Sequence, residues 1–143
     1  CKSGEVSMTR VKFLACCRTT LIDRFRNSVS LIELLEELQV EGFPVFLPEV
    51  SVVILFERES GEPEEITGML SLTLSGVMLA ERRVQSSFAG VRRCRNIVFI
   101  QGLVITAPGP LVAKFENETG TLSSSWTIDV QQHARMTEPT LGV

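Results

Sequence analysis

The sequence predicts an all-β chain: a single-domain antiparallel β-sandwich of about seven or eight strands, with little helix. Three observations predict it. Short apolar runs bounded by turn residues recur about every ten residues, the spacing of a sandwich or barrel. Within the clearest runs apolar and polar residues alternate, the period of a strand with one buried face. The chain's 143 residues, 44% of them hydrophobic, suffice for one domain with a real core. Strand order stays open, because immunoglobulin-like and jelly-roll-like connections give similar strand counts. The domain is expected over 8–131, with an N-terminal extension or cloning remnant over 1–7 and a C-terminal tail over 132–143.

Val11 to Cys17 reads as the first strand, and Arg18 to Ser28 as a polar connection. Val29 to Val40 is ambiguous. Leu31, Leu34, Leu35 and Leu38 form a helical stripe with Glu33, Glu36 and Glu37 opposite. The alternation through Ile32, Leu34, Leu38 and Val40 is weaker, so periodicity favours a helix. Phe43-Pro44 and Leu47-Pro48 mark a loop, since proline pushes the residue before it toward extended geometry. Val50 to Phe56 is apolar on both faces, as in a strand buried on both sides. Glu57 to Glu65 reads as a polar loop. Met69 to Leu74 alternates cleanly, Ser75-Gly76 supplies a tight turn, and Val77 to Val84 returns as the second arm of a hairpin. Ile97 to Ile105 is a long strand in which Gly102 suggests a bulge. After the Ala107–Pro110 turn, Leu111, Ala113 and Phe115 alternate with Lys114 and Glu116. Asn117 to Gly120 turns the chain into a last strand holding Trp126, Ile128 and Val130 on one face. Trp126 is expected to anchor the core.

The order of these segments resembles a family of small bacterial β-sandwich proteins, a domain family of unknown function. The residues that carry the resemblance are Ser30-Leu31-Ile32, Phe43-Pro44, the Pro48–Phe56 strand, the strand Leu70 to Gly76, and the run Gly109 to Phe115. It covers about Met8 to Val130 and rests on turn and core residues. It implies that Val29 to Val40 is extended, the reading preferred here because strands on either side would leave a helix without a layer to pack in, and it brings no active site. The Leu- and Glu-rich run Ser28 to Glu41 departs from the family pattern and keeps a helix open there.

The net charge is −3, but its sign is segregated. Val29 to Glu65 holds ten acids and one base, Arg58. Arg82 to Arg95 holds five arginines and no acid, and Met8 to Arg26 five basic residues and one acid. A weakly acidic whole argues against a dedicated nucleic-acid binder. Segregated charge speaks instead for steering or self-association. No stretch reaches the ~20 apolar residues of a membrane helix, and the first residues lack the apolar run of a signal peptide. The cysteines Cys1, Cys16, Cys17 and Cys94 show no CxxC spacing, which predicts reduced thiols and a cytoplasmic protein.

Catalytic and metal patterns are weak. The single histidine, His133, lies past the last strand, so a Cys–His pair would need the tail to fold back. One histidine without clustered cysteines fits no usual zinc spacing. The acids Glu57, Glu59, Glu62, Glu64 and Glu65 lack the order of a calcium loop and read as solvated. No glycine-rich phosphate loop opens a helix, and nothing calls for a cofactor. Asn117-Glu118-Thr119 fits a glycosylation triplet but reads better as a turn. The candidate site is therefore Arg82, Arg83, Arg92, Arg93 and Arg95, which would converge at one end of the sandwich if their strands were neighbours. There they could hold a carboxylate or phosphate bidentately. Cys94, set among arginines, is the candidate reactive thiol. The leading reading is a non-catalytic module that binds an unknown protein partner or assembles with itself, a dimer being the simplest form. The alternative is an anion, phosphate or nucleic-acid-associated binder using the arginines. A thiol enzyme ranks third.

Overall fold

The computed structural model describes residues 9–59 and 64–133. The 1–7 extension and most of the 132–143 tail lie outside the described residues. Nine strands and no helix are found among the described residues: β1 (Thr9–Asp23), β2 (Ser28–Leu34), β3 (Glu37–Val40), β4 (Val45–Arg58), β5 (Glu65–Leu74), β6 (Val77–Ser87), β7 (Arg93–Ile105), β8 (Gly109–Asn117) and β9 (Ser123–Gln132). They form a four-stranded sheet in the order β2-β1-β4-β7 and a five-stranded sheet in the order β3-β9-β8-β5-β6. All ladders are antiparallel except β3–β9, which is parallel.

Over Val29 to Val40 the helical periodicity misleads and the extended reading agrees with the structure: the segment is two strands, one in each sheet. Between them Leu35 and Glu36 are stitched to both sheets. Leu35 donates its N–H to Cys16 O at 2.9 Å, and Asp129 donates to Glu36 O at 3.0 Å. Two other boundaries also move. The polar connection expected from Arg18 is strand as far as Asp23, and β4 begins at Val45, so it contains Pro48.

Both sheets contribute to one apolar core, with Val52, Ile54 and Phe56 from β4 and Leu70, Leu72, Leu111, Phe115 and Ile128 from the other sheet. Phe56 and Phe115 meet edge to face, centroids 5.2 Å apart. The hairpin expected at Ser75-Gly76 is present. Both turn residues have positive φ, 51° and 87°, as a two-residue turn with the twist of its strands requires.

Gly102 is not a two-against-one bulge, since the β4–β7 register is unbroken from Val45↔Ile105 to Glu57↔Arg93. The ladder skips only the position where Pro48 faces Gly102 (φ 72°). On both strands the alternation reverses there, so Leu47 and Val50 are both buried, as are Ile100 and Leu103. Proline is tolerated because β1 pairs with β4 only up to Ser51, leaving this stretch unpaired on that side.

Trp126 is half-buried against the core, and its indole N–H donates to Leu35 O at 2.6 Å. It anchors the crossover between sheets as much as the core. Trp126→Phe keeps most of the packing but orphans that carbonyl. The expected cost is about 1–2 kcal/mol, read as a lower urea midpoint with an unchanged slope.

Candidate functional site

On β4, Ser51, Val53, Leu55 and Glu57 point away from the shared core, alternating with Val52, Ile54 and Phe56. Their ladder partners share this outer face. Arg10 and Arg93 flank Glu57, Phe13 and Arg95 flank Leu55, Ala15 and Ile97 flank Val53, and Cys17 and Phe99 flank Ser51. Lys12 occupies the register shift between Val11 and Phe13. The face is therefore basic at one end and apolar along its length.

Glu57 is 2% exposed. Arg93 Nε reaches its carboxylate at 2.8 Å, Arg10 hydrogen-bonds the other oxygen, and Lys12 Nζ stands at 3.9 Å. The hydrogen bond from Arg93 comes first in holding this carboxyl down to about 2; Arg10 and the charge of Lys12 assist, and burial opposes them. The folded pKa lies below the ordinary 4.5, so the carboxylate stabilises the fold above that value. That contribution fades as pH falls from there toward 2. Thermal unfolding of Glu57→Gln should start from a lower midpoint at neutral pH and lose less on acidification than the native chain. Parallel pH profiles for the two proteins would show that Glu57 does not set the acid limit.

Beyond Cys17, β1 leaves β4 and pairs only with β2. The turn at the hairpin tip is held by Asp23, whose carboxylate accepts the N–H groups of Phe25 and Arg26 at 3.0 and 3.3 Å. A straight strand would carry Asp23 about 33 Å beyond Phe13. Yet Arg95, level with Phe13 across Leu55, donates to Asn27 Oδ1 at 3.2 Å. The hairpin therefore bends back over the outer face, which explains why Ala15, Cys17, Ser51 and Val53 are buried there. The bend falls at Arg18 and Glu33, the one pair missing from the β1–β2 ladder. Glu33 has φ 60°, and the two side chains pair at 3.0 Å.

The fold-back brings beside Arg95 of β7 the hairpin tip, which carries Arg24 and Arg26. Phe25 between them is 100% exposed, and Leu21 and Ile22 behind it are exposed too.

The five arginines singled out from the sequence do not converge. β6 continues to Ser87, so Arg82 and Arg83 sit in mid-strand rather than at its end. Asn96 Nδ2 bonds Ser86 Oγ at 2.7 Å and sets β6 beside β7. Counted from there, Arg83 and Arg93 lie roughly 20 Å apart along the strands. Arg83 faces Glu118 at 3.6 Å across a polar cleft of about 390 Å³ beside the β8–β9 turn. Arg82 Nη1 bonds Glu81 O at 3.0 Å, and Arg92 is exposed.

Cys94 is also placed differently from expectation. It is half-buried opposite Phe56, on the core side of β7, while Arg93 and Arg95 alternate to the other face. Burial pushes its thiol up, and only Arg58 pulls it down. Cys16 and Cys17 are buried and free; burial pushes Cys16 up to about 12 and raises Cys17. His133 closes β9 by donating its backbone N–H to Val40 O at 2.8 Å. Asn117 spends its side chain on its own turn, bonding Thr121 Oγ1 and Leu122 N.

Sequence reasoning missed Glu57 and Arg58, which it placed in a solvated loop. Arg58 is 3% exposed in its side chain. Its Nε bonds Val91 O at 2.8 Å, its Nη1 bonds Glu64 at 3.2 Å, and its guanidinium lies 4.6 Å from the Phe88 centroid. Glu64 in turn accepts from Gly90 N at 3.0 Å, so the pair pins the β6–β7 connection. The signal was the unbroken alternation Val53, Leu55, Glu57, which runs past the last apolar residue.

Among the described residues no three His, Cys, Asp or Glu side chains group as metal ligands, and no helix is long and apolar enough to cross a membrane. No protein-family model matches the chain, and no curated protein is similar to it.

Proposed function

We propose that this chain is a non-catalytic, cytoplasmic β-sandwich module that works by binding protein, a partner or another copy of itself, through the folded-back hairpin. The observation that carries this is the tip: a wholly exposed Phe25 between Arg24 and Arg26, with Leu21 and Ile22 exposed behind it. Aromatic and arginine side chains dominate the energetic centres of protein interfaces. The shared core of the two sheets, with Phe56 against Phe115, supports the sandwich. The free thiols of Cys16, Cys17 and Cys94 support a reducing compartment. The anion reading draws less support, because Arg93 and Arg83 already face carboxylates.

Native mass spectrometry and light scattering test this on the native chain and on Phe25→Ser/Ile22→Ser. Both positions are exposed, so circular dichroism should not change. The native chain should associate with itself or retain a protein, and the variant should do neither. A bare native monomer, or a variant that associates equally well, sinks the proposal.

A further inference from the structure

We infer that the hairpin's partner is a second copy of this chain. The tip of each copy, Arg24 and Arg26, would sit on the acidic β3 edge of the other, Glu36, Glu37 and Glu41. This rests on the protein-binding reading above and names its partner.

Three observations argue for it. First, β3 is the outermost strand of the five-stranded sheet, and all three acids are exposed. Among the described residues none of them has an ion-pair partner. Glu37 accepts only a neutral bond from Gln39. An edge strand carrying charge resists indiscriminate pairing yet can select a basic partner. Second, the chain's own tip is held elsewhere, against Arg95 over the four-stranded sheet, so the basic tip and the acidic edge do not meet within one molecule. The Asp23 carboxylate at the tip is already committed to its own turn and to Arg26. Third, the root of the hairpin and the acidic edge are nearly continuous in the chain, with Leu34 ending β2 and Glu37 opening β3. A two-fold axis beside that crossover can satisfy both contacts at once, and such an interface closes as a dimer rather than propagating.

Charge reversal with mixing tests this by sedimentation equilibrium on the full chain. The native chain should dimerise, and added salt should weaken the dimer, because exposed pairs are screened. Arg24→Glu/Arg26→Glu and Glu36→Lys/Glu37→Lys should each weaken association on the order of tenfold or more. An equimolar mixture of the two should recover a heterodimer, since each tip then meets an edge of opposite charge. All four residues are exposed, so both variants should keep the native circular dichroism spectrum. Variants that dimerise like the native chain, or a mixture that does not recover, overturn the inference. Association that survives both reversals but is lost in Phe25→Ser/Ile22→Ser overturns this docking mode and leaves protein binding standing. A native monomer that retains a different protein does the same.

Discussion

Phe115→Ala is expected to cost about 3–5 kcal/mol, the range for truncating a fully buried aromatic side chain. Phe115 is 0% exposed on β8, and its ring meets that of Phe56 on β4. The pair joins the two sheets ring to ring. Truncation removes the buried area of one ring and strips Phe56 of its edge-to-face partner. It also leaves a void that rigid strands on both sides cannot close. With domain stabilities of about 5–15 kcal/mol, roughly a fifth or more of the total is at stake. Urea unfolding should show a much lower midpoint with a preserved slope. Phe25→Ala, at an exposed tip, should move the midpoint by less than about 0.5 kcal/mol-equivalent. A Phe115→Ala midpoint close to native would mean that the sheets are not held together there.

Gly68→Val is expected to be nearly as damaging for the opposite reason. Gly68 lies in β5 beside Asn117 of β8, and its φ is ordinary, so backbone freedom is not the issue. Space is. A Cβ added there would press on the Glu116 carbonyl oxygen and stand 2.7 Å from the Phe115 ring. The ring can shift; the carbonyl is part of a ladder and cannot. Overpacking of this kind costs about 1–3 kcal/mol for small additions and more for a branched one. Gly68→Ala should be measurably unstable and Gly68→Val severely so. The double variant Gly68→Ala/Phe115→Leu tests the cause. Relief of the ring contact should make the two losses less than additive, while the carbonyl contact keeps rescue incomplete. Strict additivity would show that the ring is not the obstacle.

The elements most plainly readable from sequence were those with one wet and one dry face, beside the doubly apolar run Val50 to Phe56. Leu70, Leu72 and Leu74 in β5, and Leu111, Ala113 and Phe115 in β8, alternate because one side of each strand meets the core. The outer half of the β1–β2 hairpin, beyond Cys17, left no such trace. Thr19, Thr20, Leu21 and Ile22 carry no period because neither face of that stretch is fully dry. The leucines over Val29 to Val40 imitated a helix because the chain changes sheets in their midst. Leu34 is exposed before the crossover, whereas Leu35 and Leu38 pack on the core during and after it. Charged residues inside β4 misled in another way. Glu57 is buried only because Arg10 and Arg93 come from strands distant in sequence, a pairing no local pattern encodes. The arginines from Arg82 to Arg95 were visible as a cluster in sequence, but the four further residues of β6 after Arg83 pull them apart in space.

The parallel ladder between β3 and β9 fixes when the molecule can be finished. Its register joins Glu37 to Asp129 and Val40 to Gln132, so a segment made before β4 waits for β9, about ninety residues later, to be synthesised. On a ribosome, β1, β2 and β4 can pair as they emerge, while β3 stays unclaimed until β9 leaves the exit tunnel. Pairings of such sequence separation form slowly. The acids that flank β3 have a use during that interval, because a short, negatively charged strand is a poor template for neighbouring nascent chains.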